Sequence, residues 1–387
     1  MCCFKRIVFI SGTRADYGKL KPLIKKVEGR IDTHVFVCGM HLLKQFGETF
    51  KHILSDGCKN VFCAKDIGIT GRMDVDLAHT IISLSNYLQR IKPDLLVIHG
   101  DRIDALAGAI AGMLNNVFVA HIEGGEVTGA VDESIRHAIT KMAHFHLVSN
   151  YESKVRIQQL GESKDRIYVI GSPDIDAMFS ALPDLEVVKK QYKIFYANYA
   201  ILIYHPVTTE YCHIEEHVKT LLEALSASRQ NYIAIRPNND FGNDIIIREL
   251  EKNISPTFKV FSSFQFESFL TLLKNADFII GNSSAGIREA CVYGIPSIDV
   301  GTRQSGRYQS QYLKNAQHVQ YSVQDIMRCI DNIGDYRVKS DYFGKGNSAD
   351  LFWKFIRSPV DVSIQKQFVD SSETENAISA YINEVCF

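Results

Sequence analysis

Leu95-Leu96-Val97-Ile98-His99-Gly100-Asp101-Arg102, followed by Val117-Phe118-Val119-Ala120-His121-Ile122-Glu123-Gly124-Gly125-Glu126 and Val131-Asp132-Glu133-Ser134-Ile135-Arg136-His137, decides the fold. Each of the first two stretches is a short apolar, β-branched run that ends in glycine and a carboxylate. Such runs read as strands buried on both faces of a parallel sheet. Asp101 closes the first run, Glu123 closes the second, and Asp132 opens a helical pattern, so one sheet edge gathers three acidic groups. In open α/β sheets ligands sit outside the carboxyl ends of the strands. Neighbouring carboxylates there push their pKa values apart and so divide acid and base roles. Asp101, Glu123 and Asp132 are therefore the candidate proton-transfer groups, with His99, Glu126 and Glu133 beside them.

The same alternation runs outward from this centre. Strand patterns fall at 6–11, 35–38, 95–99, 117–121, 145–148 and 167–170, with helical patterns between them. A second series follows at 200–204, 232–235, 259–261, 278–280 and 297–300, interleaved with helices such as 215–225 and 268–274. Strands alternating with helices mean βαβ units and parallel sheets. Because the pattern restarts, two similar α/β domains are expected, 1–178 and 179–365, with the boundary in the Gly-Ser-Pro stretch near 171–180. A C-terminal helix within 366–387 is expected to pack back on the first half.

Composition fits that plan. The chain has 387 residues, 46% of them hydrophobic, enough for two cores. Its 43 basic and 44 acidic residues leave a net charge of −1, so no charge asymmetry points to nucleic acid or a membrane surface. The expected partner is a small molecule. No stretch of about 18 apolar residues occurs and the first ten residues lack a signal-peptide pattern, so a cytoplasmic protein is expected. Nine cysteines without paired CxxC spacing argue against structural zinc or a disulfide framework.

The second half carries a different chemistry. Phe278-Ile279-Ile280-Gly281-Asn282-Ser283-Ser284-Ala285-Gly286-Ile287-Arg288-Glu289 reads as a strand, a tight turn of small residues and a helix start. Free N–H groups at such a start suit a diphosphate, Ser283, Ser284 and Gly286 allow close approach, and Glu289 is placed to accept from a ribose. An ordinary helix capped by serine has the same spacing. His205, in Tyr204-His205-Pro206-Val207-Thr208-Thr209, ends another strand, and Asn238 and Arg303 lie in polar loops at equivalent positions. In the first half, Ser11-Gly12-Thr13-Arg14-Ala15-Asp16-Tyr17-Gly18 is neither GxGxxG nor a Walker loop, so a dinucleotide cofactor is poorly supported. Arg14 there could meet phosphate.

Taken together, these motifs closely resemble the hydrolysing UDP-N-acetylglucosamine 2-epimerases, bacterial enzymes of the sialic acid pathway similar to the epimerase half of the animal bifunctional epimerase/kinase. The resemblance runs from Gly12-Thr13-Arg14-Ala15-Asp16-Tyr17 to Gly301-Thr302-Arg303-Gln304. It implies a GT-B-like α/β fold of two Rossmann-type domains with parallel sheets facing a central cleft, a homodimer, and neither metal nor NAD. By position, the family's nucleotide-binding roles fall on Arg14, Arg102, His205, Asn238, Ser283, Ser284, Glu289 and Arg303, and its acid/base roles on Asp101, Glu123 and Asp132. His205 joins the catalytic set by its place at the departing diphosphate, and His41 joins the supporting candidates. Gly18 departs from the animal pattern, which has a phosphate-reaching serine there. The implied reaction takes UDP-GlcNAc and water to ManNAc and UDP. Rival expectations are the same chemistry on a UDP-2,4-diacetamido-2,4,6-trideoxyhexose, a GT-B glycosyltransferase, and a non-enzymatic nucleotide-sugar-binding module.

Overall fold

The computed structural model describes residues 4–44, 47–65, 70–127, 131–237, 241–309, 311–359 and 362–370. These divide into two units. The first holds the residues up to Ala177 and again from Gly346 onward, and the second is Met178–Lys345.

In the first unit the strands are β1 (Arg6–Ser11), β2 (Asp32–Val37), β3 (Asn60–Cys63), β4 (Leu95–His99), β5 (Phe118–Ile122), β6 (Phe145–Val148) and β7 (Ile167–Val169). They form one parallel sheet in the order β3-β2-β1-β4-β5-β6-β7. In the second unit β8 (Ala200–Ile203), β9 (Tyr232–Ile235), β10 (Phe258–Phe261), β11 (Ile279–Gly281), β12 (Ser297–Val300) and β13 (Ala316–Val319) pair in the order β10-β9-β8-β11-β12-β13. Counted from its own first strand, each sheet has the doubly wound 3-2-1-4-5-6 order, which the first extends by a seventh strand. The direction of winding therefore reverses between β1 and β4 in one unit and between β8 and β11 in the other.

Burial explains why the apolar runs form strands. Every residue of β4 is buried, and the two faces of the first sheet feed separate clusters, one around Phe9, Val35 and Val97 and the other around Val8, Leu96 and Ile98. The second sheet repeats this, with Leu202 and Ile280 on one face and Ile201 and Ile279 on the other. Among the described residues no helix is long and apolar enough to cross a membrane.

The expected boundary at 365/366 is corrected. The chain rejoins the first unit at Gly346, where the helix Ser348–Arg357 lays Phe352, Phe355 and Ile356 into the cluster of Phe4, Phe9 and Phe145. The Asp176 carboxylate accepts the N–H groups of Ser348 (2.9 Å) and Ala349 (2.8 Å), so the end of the first pass caps the returning helix. Residues 366–370 are not helical, and the rest of the expected C-terminal helix lies outside the described residues.

Candidate active site

The helix Arg14–Val27 begins where β1 ends, and Thr13 caps it by accepting the Asp16 N–H at 3.2 Å. Its first turns then present Asp16 and Lys19 beside the end of β4. Glu123 arrives from β5 with φ of 62°, a left-handed backbone that is costly for a residue with a Cβ and fixed here by its N–H bond to the Leu147 carbonyl at 3.0 Å. Its side chain is buried and ringed by donors: Lys19 Nζ at 2.8 Å, His99 Nε2 at 3.1 Å and the Ser172 hydroxyl. His99 Nδ1 lies 3.5 Å from Asp16, and Lys19 Nζ lies 3.7 Å from Asp174. Charges thus alternate along Asp16, His99, Glu123, Lys19 and Asp174. Burial pushes the His99 imidazole towards neutrality, but the Glu123 charge and the Asp16 hydrogen bond outweigh it and raise its pKa. For Asp16 burial acts upward, and the bond to His99 prevails and lowers it.

Asp101, in the loop after β4, pairs with Arg136 Nη2, while Arg136 Nη1 donates to the Glu126 carbonyl at 2.7 Å. Arg136 is itself buried. Asp132 opens the same helix, Val131–Met142, one turn before Arg136, so both share a face. Glu126 accepts from the Ser149 hydroxyl at 2.9 Å, and Glu133 sits 3.5 Å from His137 Nε2. Asp101 and Glu123 are therefore each tied to a cation.

Of the other expected residues, Arg102 and His41 lie within electrostatic reach of Asp16. Arg14 is exposed at its helix start. Arg102 points at Met40 Sδ (3.4 Å) and Asp104 (4.0 Å). His41 is buried between the hydroxyls of Ser11 (2.8 Å) and Thr49 (2.7 Å), and burial pushes its pKa down to about 4. The imidazole thereby ties the end of β1 to the residue before the helix Phe50–Ser55.

In the second unit the groups gather at the β8/β11 reversal. Gly281 ends β11 at φ of +128°, and any Cβ there would run into the Ile203 carbonyl, so only glycine allows this exit. Ser283 follows as a cap, accepting the Ala285 N–H at 3.3 Å. The expected helix is broken into Ser284–Ile287 and Glu289–Tyr293, with Arg288 between them at φ of −90° and ψ of −61°. Gly286 faces the sheet, where a Cβ would press on Ser297 Oγ at 2.5 Å, so its smallness serves packing against β12. Ser284 and Glu289, each half-buried, open the two short helices. Arg303 Nη1 donates to the Asn282 carbonyl at 3.1 Å, and His205 meets the Asn282 side chain through its backbone. Asn238 lies outside the described residues.

Lys19, Asp16, Arg136 and Asn282 escaped the sequence reading. The first two were visible as an i, i+3 pair on one helix face, and Arg136 as the i+4 partner of Asp132. Asn282 had no signal beyond its place in the turn.

Residues 25–357 match the family described as UDP-N-acetylglucosamine 2-epimerase. The chain belongs to the UDP-N-acetylglucosamine 2-epimerase family. It is 44% identical over 377 residues to a Neisseria meningitidis protein named UDP-N-acetylglucosamine 2-epimerase, covering 95% of this chain and 99% of that one. A Legionella pneumophila relative named UDP-N,N'-diacetylbacillosamine 2-epimerase (hydrolyzing) is 30% identical, covering 92% and 96%. The fold also matches the crystal structure of a UDP-GlcNAc 2-epimerase from Neisseria meningitidis bound to UDP-GlcNAc, with a TM-score of 0.78 at 18% identity, over 91% of this chain and 99% of that one. Two parallel-sheet Rossmann-type units in this family make a GT-B-like fold.

Proposed function

We propose that this protein is a hydrolysing UDP-GlcNAc 2-epimerase, converting UDP-GlcNAc and water to ManNAc and UDP as an entry step to sialic acid. The observation that carries this reading is Glu123, a strained, buried carboxylate held by Lys19, His99 and Ser172 at the end of β5. The family and the Legionella relative named as hydrolysing support it.

The C2 hydrogen of the sugar is not flanked by a carbonyl, so a base alone removes it poorly. One carboxylate takes the C2 proton while the C1–O bond breaks with oxocarbenium character, and the bonding pair leaves with UDP. The product is a 2-acetamidoglycal. Water then adds at C1 and a proton is delivered to C2 from the opposite face, which inverts that carbon. Asp101, Glu123 and Asp132 divide these transfers. Asp101 and Glu123, each beside a cation, enter the cycle as proton acceptors. In the second unit His205, Arg303 and Ser283 stabilise the departing diphosphate. Arg14, Arg102, Asn238, Ser284 and Glu289 complete the nucleotide contacts.

A proton NMR time course with UDP-GlcNAc in D₂O tests the reading. Free ManNAc deuterated at C2, released with UDP, is the expected result. UDP-ManNAc as the product would replace hydrolysis by reversible epimerisation. Turnover of the diacetamido sugar nucleotide alone would keep the mechanism and change the substrate.

A further inference from the structure

We infer that Asn282 is a positioning residue for the diphosphate site, its buried side-chain amide fixing His205 after β8 while its main-chain carbonyl holds Arg303 in the loop after β12. The inference rests on the nucleotide-binding reading above. Asn282 is fully buried at the end of β11, the strand that lies between β8 and β12. Its N–H still bonds the Ile203 carbonyl at 3.1 Å, but after Gly281 the main chain leaves the ladder. The side chain then takes over the ladder's task. Its Oδ1 accepts the His205 N–H at 2.7 Å, and its Nδ2 donates to the His205 carbonyl at 2.9 Å. Both main-chain groups of His205 are thereby matched as in a strand pair, and the two partners fix which way the amide points.

His205 precedes Pro206, which already confines it to extended backbone. With both of its peptide groups bound, the imidazole projects from a backbone that has little freedom left. On the other side, the Asn282 carbonyl accepts Arg303 Nη1 at 3.1 Å and Gln304 Nε2 at 2.7 Å. The loop after β12 is thus tied to the same residue that holds the loop after β8. Aspartate is no substitute, because a carboxylate can accept from the His205 N–H but meets the His205 carbonyl with another lone pair. A small apolar side chain would take both of these partners from the His205 main chain.

The test is a pair of double-mutant cycles read as UDP dissociation constants by calorimetry, with Asn282→Ala crossed with His205→Ala and with Arg303→Met. Asn282→Ala and His205→Ala are each expected to weaken UDP about 10-fold, and the double variant about 10- to 20-fold rather than 100-fold. Asn282→Ala keeps the main-chain carbonyl that holds Arg303, so the Arg303 cycle is expected to be additive. Asn282→Ala crossed with Arg14→Ala, on the first unit, is a further control and should also be additive. A general loosening of the fold would not couple selectively to His205. An additive loss in the His205 cycle overturns the inference. Should Asn282→Ala fail to fold, the same cycles are run with the isosteric Asn282→Asp. Additivity of the His205 cycle there would mean a bare charge effect on the diphosphate and likewise overturn it. Wild-type protein that fails to bind UDP at all would instead bring down the nucleotide-binding reading on which the inference stands.

Discussion

At the scale of single residues, Glu123 shares a left-handed backbone with Glu48, Lys92 and Asn116 in the first unit, and of these four it alone is buried. A non-glycine residue at φ of 62° carries strain on the order of 1–3 kcal/mol. The backbone bond to Leu147 and the side-chain bonds to Lys19, His99 and Ser172 hold it there. Removing the ammonium would leave a buried carboxylate with one fewer cation and a freer rotamer. Lys19→Met is therefore expected to lower kcat about 10- to 100-fold with little change in KM for UDP-GlcNAc, and Lys19→Arg to recover part of the loss. Steady-state assays of released UDP read both, and an unchanged kcat in Lys19→Met would remove Lys19 from the mechanism. Asp101 has its own cation in Arg136. If Asp101 transfers a proton, Asp101→Asn should cost roughly 10²- to 10⁴-fold in turnover. A loss under about 3-fold would exclude it.

At the scale of elements, the apolar strands were readable, including the edge strands β7 and β10, and the two other edge strands were not. β1, β4 and β5 are continuous apolar runs because both of their faces are covered. β3 and β13 were missed for the opposite reason. Asn60–Cys63 and Ala316–Val319 lie at the outer edges of their sheets, carry polar residues, and bury less of themselves than a central strand, so their periodicity is weak. The carboxylates and the serine turn were legible because they terminate strong strands. The cations that hold those carboxylates were not, because a lysine or arginine on a helix looks solvated until the neighbouring strand is placed beside it. The break at Arg288 was also invisible, since Ser284–Tyr293 has no proline to mark it. The helix Arg14–Val27 offers a clean test of local propensity. Gly18 lies on its exposed side, and an added Cβ there would meet nothing within 4 Å. Gly18→Ala should therefore stabilise the protein by about 0.5–1 kcal/mol in urea unfolding. No gain would mean that the glycine does more than fill a helical position.

At the scale of the whole molecule, the chain leaves the first unit at Ala177, builds a second Rossmann-type unit, and returns at Gly346. The returning chain is secured twice. Phe352 and Phe355 enter the first unit's core, and further on Lys366 Nζ reaches Glu162 at 2.6 Å while also donating to the Ala143 carbonyl at 2.7 Å. Glu162 accepts from Lys141 Nζ at 2.8 Å and from His146 Nε2 at 3.2 Å as well. Burial pushes the Glu162 carboxyl up, but the bonds from His146, Lys141 and Lys366 prevail and hold it down at about 2. His146 acts as a neutral donor, because burial lowers its own pKa. A carboxylate depressed in the folded state adds stability above its unfolded value of about 4.5, and that contribution is lost as pH falls through the folded value. The distance between the two is worth on the order of 3 kcal/mol at neutral pH. Glu162→Gln should therefore lower the unfolding free energy at pH 7 by about 2–4 kcal/mol, since it also leaves two ammonium groups without their anion. The gap from wild type should narrow steadily as pH drops from 4.5 towards 2, where the wild-type carboxyl takes up its proton. Thermal unfolding of both proteins across that range reads the difference, and a gap that stays constant with pH would mean that packing, not charge, holds the returning chain in place.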